Sequence, residues 1–543
     1  MRSRFTLILL LASALLFLAS LFYQSEWRSW LGEGADRKPL ALPFTKAGKG
    51  TGFEEKIPLS PTVVSFAALE ELLKDQKFDD FALSFSSPQA MSDFLDSLET
   101  SGLKLRSSMP QILTARLQIL EPDLASSVLR EDKGIHGIEI NSPIFIPRKP
   151  KATESDLQAG APKTIDEWIN IKEDRSEWGK GTSVAIIDSA IDFSHPSLAH
   201  VERELISFMD EPSNEVSTDH GTAIASIIAG STDAFQGIAP ATKILSIELL
   251  GEDGVGDVFT LAEAIIAAVD RKVDLINLSL GGDRPSAVLS YAIKYANSNN
   301  VLLVAASGND GVGQVSYPAR YDEVLGVSAL NFNGTVANFS NFGDGVDLSA
   351  PGVDVISAYG MDGYAVLNGT SAATAFVSGA LLSELWRTPH LPSQQVKELL
   401  FMYADETEKP GFDQLSGHGV LNLKRIIKRN DMKYHDGSVV GYYFAPEVLA
   451  NIEGGGTVPF VVTVQNQGSS WINNMSLDVS FEGISRKFMF SNMKPGQTRS
   501  EQLYLDSAAA KEGVEIISNL KLAEQKDSNP DNNYRKSILT LPH

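Results

Sequence analysis

The sequence predicts an α/β protein in which a parallel sheet carries helices on both faces. A small α+β domain is expected before this sheet and a β-sandwich after it. Three observations lead to this prediction: apolar runs alternate with helical stretches from about 165 to 430, a β-α-β-β-α-β alternation occupies 61–146, and helical patterns disappear from about 437 onward. At 543 residues the chain is too long for one hydrophobic core, so several domains are expected.

Composition excludes several classes of function. With 43% hydrophobic and 21% charged residues the chain is globular rather than disordered. A formal net charge of −22 argues against a nucleic-acid partner and against docking on an anionic membrane surface. The absence of cysteine excludes disulfides, thiolate metal sites and a cysteine nucleophile.

The N-terminus predicts export. Arg2 and Arg4 precede an uncharged apolar run, 5–22, which is long for a cleaved signal and barely long enough to span a bilayer. Residues 1–23 are therefore a signal peptide or an uncleaved signal anchor, and both alternatives stay open. Residues 24–60 have no periodicity and are interpreted as a tether. The rest of the chain is expected outside the cytoplasm, either secreted or held at the membrane by this segment.

The segment 61–146 predicts a ferredoxin-like layout. A serine cap and a proline at 87–88 open the first helix, and Gly102 closes it. The predicted elements are strands at 63–66 and 81–85, a helix from 87 to 102, strands at 103–106 and 112–120, a helix at 123–133 and a strand at 135–140. A linker rich in proline, alanine and charge follows at 147–164.

The central region, 165–430, predicts the parallel sheet. Short β-rich runs without polar alternation suit strands that are buried on both faces. The predicted strands are 184–187, 244–249, 275–280, 301–305 and 324–329, and the predicted helices between them are 220–228, 258–269 and 286–297. Active residues gather at the carboxyl ends of such strands, where Asp188 and Asn309 fall, whereas His220 and Ser371 lie at helix starts.

The region 437–543 predicts a β-sandwich of about a hundred residues. Glycine-rich turns separate alternating segments at 461–464, 475–481 and 538–541. The ending at 527–534 resembles bacterial adhesion-type Ig-like (CARDB-like) modules. Its oxygen-bearing side chains are spaced like a calcium loop, but the turn glycine is missing and Ile538 stands where a bidentate acid is needed, so calcium is not expected there.

Four short segments carry the candidate chemistry: VAIIDSAID at 184–192, DHGTAIA at 219–225, AASGN at 305–309 and NGTSAAT at 368–374. An imidazole that can accept a serine proton, and a carboxylate that orients it, form a nucleophilic catalyst. Taken singly, Ser371 could be a helix cap and Asn309 a turn residue. Other histidines (His195, His200, His418) and other acids (Asp192, Asp219) are weaker candidates, because their surroundings are those of turns or surface.

In this order the four segments resemble the subtilisin family of serine proteases, the subtilases. The resemblance implies that Ser371 is the nucleophile, His220 the general base and Asp188 the residue that orients the imidazole. Asn309 would donate to the oxyanion together with the backbone N–H of Ser371. No cofactor is required; structural calcium is common in the family, but no site is identified in the sequence.

The resemblance also implies polypeptide substrates bound along exposed backbone. One rail of the substrate site would be Ser279, Leu280 and Gly281, and the opposite rail Gly254. The primary specificity pocket would be lined by Ala305, Ala306, Ser307 and Gly308. Residues 61–146 resemble the family's propeptide, a chaperone and inhibitor, although an ordinary accessory domain would give the same pattern. Without a usual dibasic processing site in the linker, cleavage is expected from the enzyme itself, at a bond that the sequence does not identify.

This chain departs from the family at several positions. Ala190 replaces a usual glycine, and Ala372, Ala375 and Phe376 replace the Met, Pro and His that usually follow the serine. If position 190 requires a positive φ, alanine there costs about 1 kcal/mol. Two alternatives therefore stay open. One is a catalytically silent scaffold, and the other is an adhesive or carbohydrate-binding protein that acts through the C-terminal sandwich, with Trp471, Tyr442 and Tyr443 as a ligand face.

Overall fold

A computed structural model describes residues 80–130, 134–149, 162–209, 219–232, 235–251, 253–331, 333–407, 409–444 and 456–541. The predicted export segment, the tether and the predicted strand at 63–66 lie outside these residues.

The N-terminal domain, residues 80–140, is a four-stranded antiparallel sheet with two helices. Its elements are β1 (Asp80–Phe85), α1 (Pro88–Asp96), β2 (Leu103–Met109), β3 (Thr114–Ile119), α2 (Pro122–Arg130) and β4 (Ile135–Ile140). The strand order β2-β3-β1-β4 with these connections is a ferredoxin-like layout. Ser87 caps α1 by accepting a hydrogen bond from the N–H of Ala90. The helix ends at Asp96 with Ser97 as its C-cap, so the prediction that Gly102 closes it was wrong: a 3-10 turn at Leu98–Thr100 intervenes, and Gly102 follows that turn with a φ of +69°. A short strand, β5 (Pro143–Phe145), follows the domain.

The central domain is built on a seven-stranded parallel sheet. Its first half contains α3 (Ile165–Ile169), β6 (Ser183–Asp188), β7 (Arg203–Ser207), α4 (Asp219–Ala229), β8 (Lys243–Glu248), β9 (Val255–Asp257), α5 (Val258–Asp270), β10 (Leu275–Leu278) and α6 (Ala287–Ser298). Its second half contains β11 (Leu302–Ala306), β12 (Leu325–Leu330), β13 (Leu348–Pro351), β14 (Val355–Tyr359), β15 (Gly363–Leu367), α7 (Thr370–Arg387), α8 (Ser393–Met402) and α9 (Leu423–Ile427).

The order of the parallel sheet places its switch point at the centre. The strands run β13-β12-β11-β10-β6-β8-β7, so the chain leaves β6 toward one edge and later returns to build the other. One hydrophobic core packs α4 and α7 against one face, and a second packs α5 and α6 against the opposite face. Ligands of such sheets bind beyond the carboxyl ends of the strands next to the switch point, which here are β6 and β10.

The C-terminal domain has two antiparallel sheets around one core. One sheet has the order β16 (Gly437–Phe444), β17 (Thr457–Asn466) and β20 (Thr498–Asp506), and the other has the order β19 (Ile484–Met493), β18 (Ile472–Phe481), β21 (Val514–Leu522) and β22 (Tyr534–Leu539). A short helix, α10 (Ser507–Glu512), follows β20. Tyr442 is buried and its hydroxyl donates to the carbonyl of Arg535, so it belongs to the core rather than to a ligand face, whereas Trp471 is 48% exposed.

Candidate active site

Asp188 and His220 form a hydrogen-bonded pair beyond the carboxyl end of β6. The Nδ1 atom of His220 lies 2.8 Å from Oδ1 of Asp188, which also accepts the N–H of Ser189 at 2.7 Å. The carboxylate is fully buried, and the imidazole is 16% exposed. A proton on Nδ1 is fixed by this carboxylate, which leaves Nε2 as the acceptor on the solvent-facing side.

A glycine allows the helix that carries His220 to approach β6. A Cβ at Gly221 would lie 2.6 Å from the carbonyl oxygen of Ser189, so only glycine fits there. The N–H of Gly221 donates to Oγ of Ser189 at 3.0 Å. The sequence Asp-His-Gly therefore fixes the histidine at the start of α4, directly against the strand that ends in Asp188.

Ser371 is the second residue of α7 and is 3% exposed. The first turn of a helix has N–H groups without intrahelical partners, and its partial positive charge favours a developing anion. The hydroxyl of Ser371 donates to the carbonyl of Ser279 at 3.4 Å. Among the hydrogen bonds of the described residues, none joins Ser371 to His220, so the serine side chain points toward the end of β10 in this structure.

Asn309 is oriented by the residue before the candidate nucleophile. Its Oδ1 accepts both the N–H and the hydroxyl of Thr370, each at 2.9 Å. Gly369 has a φ of +146°, and a Cβ at this position would lie 3.0 Å from Nδ2 of Asn309. These contacts turn the Nδ2 donor away from α7, and it donates to the carbonyl of Arg148 at 3.0 Å.

The acceptor on Arg148 belongs to the tail segment, residues 143–149, which lies along the cleft. Phe145 exchanges two backbone hydrogen bonds with Gly281, both 2.8 Å long, and β5 pairs with β9 in antiparallel register. On the opposite side, the N–H of Ile146 donates to the carbonyl of Gly254 at 3.0 Å. The tail segment therefore lies between two rails of backbone, as a third strand.

The other predicted substrate-binding residues are distributed around this cleft. Ser279, Leu280 and Gly281 follow β10, and Gly308 lines a cavity of about 670 Å³ together with His220, Asn309 and the tail segment. Ala305, Ala306 and Ser307 have no exposed surface in this structure. Their role in a specificity pocket stays a prediction.

The N-terminal domain contacts the end of β9 and the first turns of α5 through an ionic network. The guanidinium of Arg116 contacts Asp80 of its own domain at 2.6 Å, Asp257 at 3.2 Å and the Thr260 hydroxyl at 2.8 Å. Burial alone would raise the pKa of Asp257, but Arg116 and the Thr260 hydrogen bonds lower it below its usual value. Burial raises the pKa of Glu263, which lies 3.8 Å from the same guanidinium.

The alternative histidines have structural partners. His195 is buried, and its Nε2 lies 3.0 Å from the carbonyl of Gly363. Nε2 of His200 lies 3.2 Å from the carbonyl of Pro240, and the His418 ring stacks on a phenylalanine at 4.3 Å.

The alternative acids and the unusual alanine also have local explanations. Asp192 accepts the N–H and the hydroxyl of Ser194, and Asp219 accepts the N–H of Gly360 at 3.2 Å. Ala190 is not among the described residues with a positive φ, so this departure from the family pattern causes no backbone strain.

Metal and membrane features of the described part of the chain are limited. It contains no group of three or more His, Asp or Glu residues placed to share a metal ion, and no helix long and apolar enough to cross a membrane. In the segment that is spaced like a calcium loop, Asp527 and Asn529 have protein partners. Asp527 accepts the N–H groups of Gly437 and Asn529, and Asn529 accepts the side-chain amide of Asn170.

Two features of the site were not predicted from the sequence. These are the contact between Asn309 and Arg148, and three exposed carboxylates that line the cavity, on Asp253, Asp283 and Asp310. The family resemblance implied that the linker enters the active site, and its first residues, 147–149, lie in the cleft.

Comparison with known proteins defines the class. Residues 179–419 match the subtilase family, Peptidase_S8. An alkaline protease of Shouchella clausii is 31% identical over 394 residues, which are 72% of this chain and 100% of that protein. Subtilisin Savinase of Lederbergia lenta is 38% identical over 252 residues, which are 46% of this chain and 92% of that protein. Among solved structures, the prenylagaramide maturation protease PagA has a TM-score of 0.42 and 32% identity, and the match covers 47% of this chain and 94% of that one.

The parallel sheet, the family match and the two bacterial proteases define a serine protease of the subtilisin type. The chain belongs to the subtilase family. The predicted family, fold class and class of enzyme are thereby confirmed.

Proposed function

We propose that the protein is an exported serine endopeptidase made as a self-inhibited precursor, with Asp188, His220 and Ser371 as its triad. The observation that carries the proposal is the hydrogen bond from Asn309 to the carbonyl of Arg148, in a strand held by both rails of the cleft. The bound strand has the hydrogen bonds of a substrate, and it belongs to the same chain. It therefore both blocks the cleft and presents a bond for cleavage.

The chemistry begins with rotation of the Ser371 side chain from the Ser279 carbonyl toward Nε2 of His220. The imidazole removes the hydroxyl proton while Oγ attacks the amide carbonyl. Asp188 keeps Nδ1 protonated and offsets the charge of the imidazolium. Asn309 and the N–H groups at the start of α7 stabilise the oxyanion in a site that excludes water. His220 then protonates the leaving amine, and water hydrolyses the acyl-enzyme.

The basic and apolar pattern at 1–23 supports export of the protein. Its substrates are polypeptides. The N-terminal domain acts as the propeptide, because its contacts on α5 place the tail segment in the cleft.

The proposal is tested by labelling the purified protein with a fluorophosphonate probe, with the Ser371→Ala variant as the matched control. We expect Ser371-dependent labelling and a shortened chain for the wild type, and an unlabelled full-length chain for the variant. A folded wild type that neither reacts with the probe nor shortens would instead support the silent-scaffold alternative.

A further inference from the structure

We infer that the precursor cuts itself between Arg148 and Lys149, and that the cleft selects an arginine on the amino side of the bond it cleaves. This inference rests on the proposed function and deepens it. It assigns the bond and the substrate class, which the linker sequence alone did not identify.

The register of the tail segment identifies the bond. Phe145 is paired with Gly281 on one rail, and the N–H of Ile146 with Gly254 on the other. Two residues farther along, the carbonyl of Arg148 accepts the Asn309 side-chain donor at 3.0 Å. The oxyanion forms on the carbonyl that faces this donor, so the carbonyl carbon under attack is that of Arg148. Because side chains alternate along an extended strand, a slip by one residue would turn every tail side chain to the opposite face.

The charge of the cleft matches this bond. Asp253, Asp283 and Asp310 line the same cavity as the tail segment, and all three side chains are exposed. Apart from His220, the only basic residues among the described lining are the tail's own Arg148 and Lys149. The cavity is thus acidic wherever the tail does not neutralise it, which favours cationic side chains on both sides of the scissile bond.

Asp310 is the principal specificity residue in this arrangement. It directly follows Asn309, and its N–H donates to Oδ1 of Asn341 at 2.9 Å, as does the N–H of Val312 at 3.3 Å. These bonds fix the loop that carries the carboxylate beside the oxyanion donor. Among the described residues, the Asp310 side chain has neither an ion pair nor a hydrogen bond, and this includes Arg148. Its charge therefore acts on a cationic side chain by attraction within the shared cavity rather than by a direct ion pair in this structure.

The proposed step balances with water alone. Oγ of Ser371 bonds to the carbonyl carbon of Arg148, and the C–N bond to Lys149 breaks. The serine proton passes through His220 to the Lys149 amine. Water then releases Arg148 as a free carboxylate and returns a proton to Ser371.

The first test maps the bond in the full chain. Intact-mass measurement of the first fragments released during refolding should give an N-terminal fragment that ends at Arg148 and a mature chain that begins at Lys149. Arg148→Glu should slow cutting at this bond at least tenfold, while the control Arg148→Lys should stay within a few fold. A first cut at any other bond overturns the inference but leaves the protease function standing. Complete absence of Ser371-dependent cutting overturns both.

The second test measures selectivity in the mature protein. The ratio of kcat/KM for Phe-Ile-Pro-Arg over Phe-Ile-Pro-Phe p-nitroanilide should favour arginine, and Asp310→Asn should reduce this ratio about two- to fivefold, as expected for exposed charges. Asp322→Asn, an exposed carboxylate outside the cavity, is the matched control and should leave the ratio unchanged. Equal rates on both peptides in an active wild type overturn the arginine preference without affecting the triad.

Discussion

Asn309 provides the sharpest test of the site, because its two functions are separable. Its Nδ2 donates to the Arg148 carbonyl at 3.0 Å, while its Oδ1 accepts the N–H and the hydroxyl of Thr370. Replacing Asn309 with alanine removes one oxyanion donor, for which about 3–4 kcal/mol of transition-state stabilisation is lost, or a factor of about 10² to 10³ in rate. The same change leaves the Thr370 groups unpaired, at about 1–3 kcal/mol of folding free energy.

Two further variants separate these effects. Asn309→Asp keeps an acceptor for Thr370 but has no donor, and it places negative charge where the oxyanion develops. We expect it to be at least as slow as Asn309→Ala, although it folds more stably. Thr370→Ser keeps the hydroxyl that orients Asn309. Its rate constant for self-processing should remain within about threefold of the wild type, which corresponds to about 0.6 kcal/mol of activation free energy.

The assay is the first-order rate constant for self-processing of the refolded full chain, followed by gel electrophoresis well below the melting temperature of each variant. The ratio of rate constants converts directly into a difference in activation free energy. If folded Asn309→Ala processes itself within threefold of the wild type, Asn309 is not an oxyanion donor, and the register drawn from its contact with Arg148 fails as well.

Three further changes test other parts of the structure. Asp188→Asn should lower the rate of self-processing about 10⁴-fold by stabilising the wrong tautomer of His220, and an unchanged rate in a folded variant would exclude the triad. Arg116→Ala leaves Asp257 without its cation, so the cut propeptide should dissociate faster. The lag between self-cutting and the onset of peptide hydrolysis should therefore shorten at least tenfold. An unchanged lag would show that the ionic network does not retain the cut propeptide. Burial raises the pKa of Asp347 to about 6, above its unfolded value of about 4. The folded protein therefore holds this proton more tightly than the unfolded chain, and the free energy of unfolding falls as the pH rises between these values. The comparison is made in the Ser371→Ala background. The free energy of unfolding of the Asp347→Asn protein, minus that of the protein with Asp347, should rise by up to about 3 kcal/mol from pH 4 to pH 8. A difference that does not change with pH would contradict this assignment.

The sequence predicts the interior of the parallel sheet better than its edges. Five of its seven strands lie at predicted apolar runs, because strands buried on both faces are continuously apolar. The edge strand β7 was missed because its residues are mostly exposed and include charged side chains at Arg203 and Glu204. The opposite edge, β13, is only four residues long and ends in Pro351, so it has neither the length nor the composition of a typical strand.

The sequence predicts those side chains of the site whose positions are set by neighbouring residues in the same motif. The glycine after His220 and the glycine before Thr370 both stand where a Cβ would collide, so the motifs contain the packing that positions the histidine and the asparagine. The rotamer of Ser371 is different in kind, because rotation about a single bond, Cα–Cβ, decides whether the hydroxyl faces the Ser279 carbonyl or the imidazole. No periodicity in the sequence specifies that choice.

The position of Arg148 could not be predicted because it depends on a contact between domains. The linker has no periodicity of its own, and its register follows from backbone pairing with β9 and Gly281, which are remote in sequence. Once docked, the tail uses the same backbone groups of Gly254 and Gly281 that a substrate would use. Changes in these rails must therefore weaken inhibition and substrate binding together. Among the described residues, the Arg116 network reaches the rails only at Asp257, the end of β9, through its side chain. Changes in Arg116 should therefore alter inhibition more than recognition of the substrate.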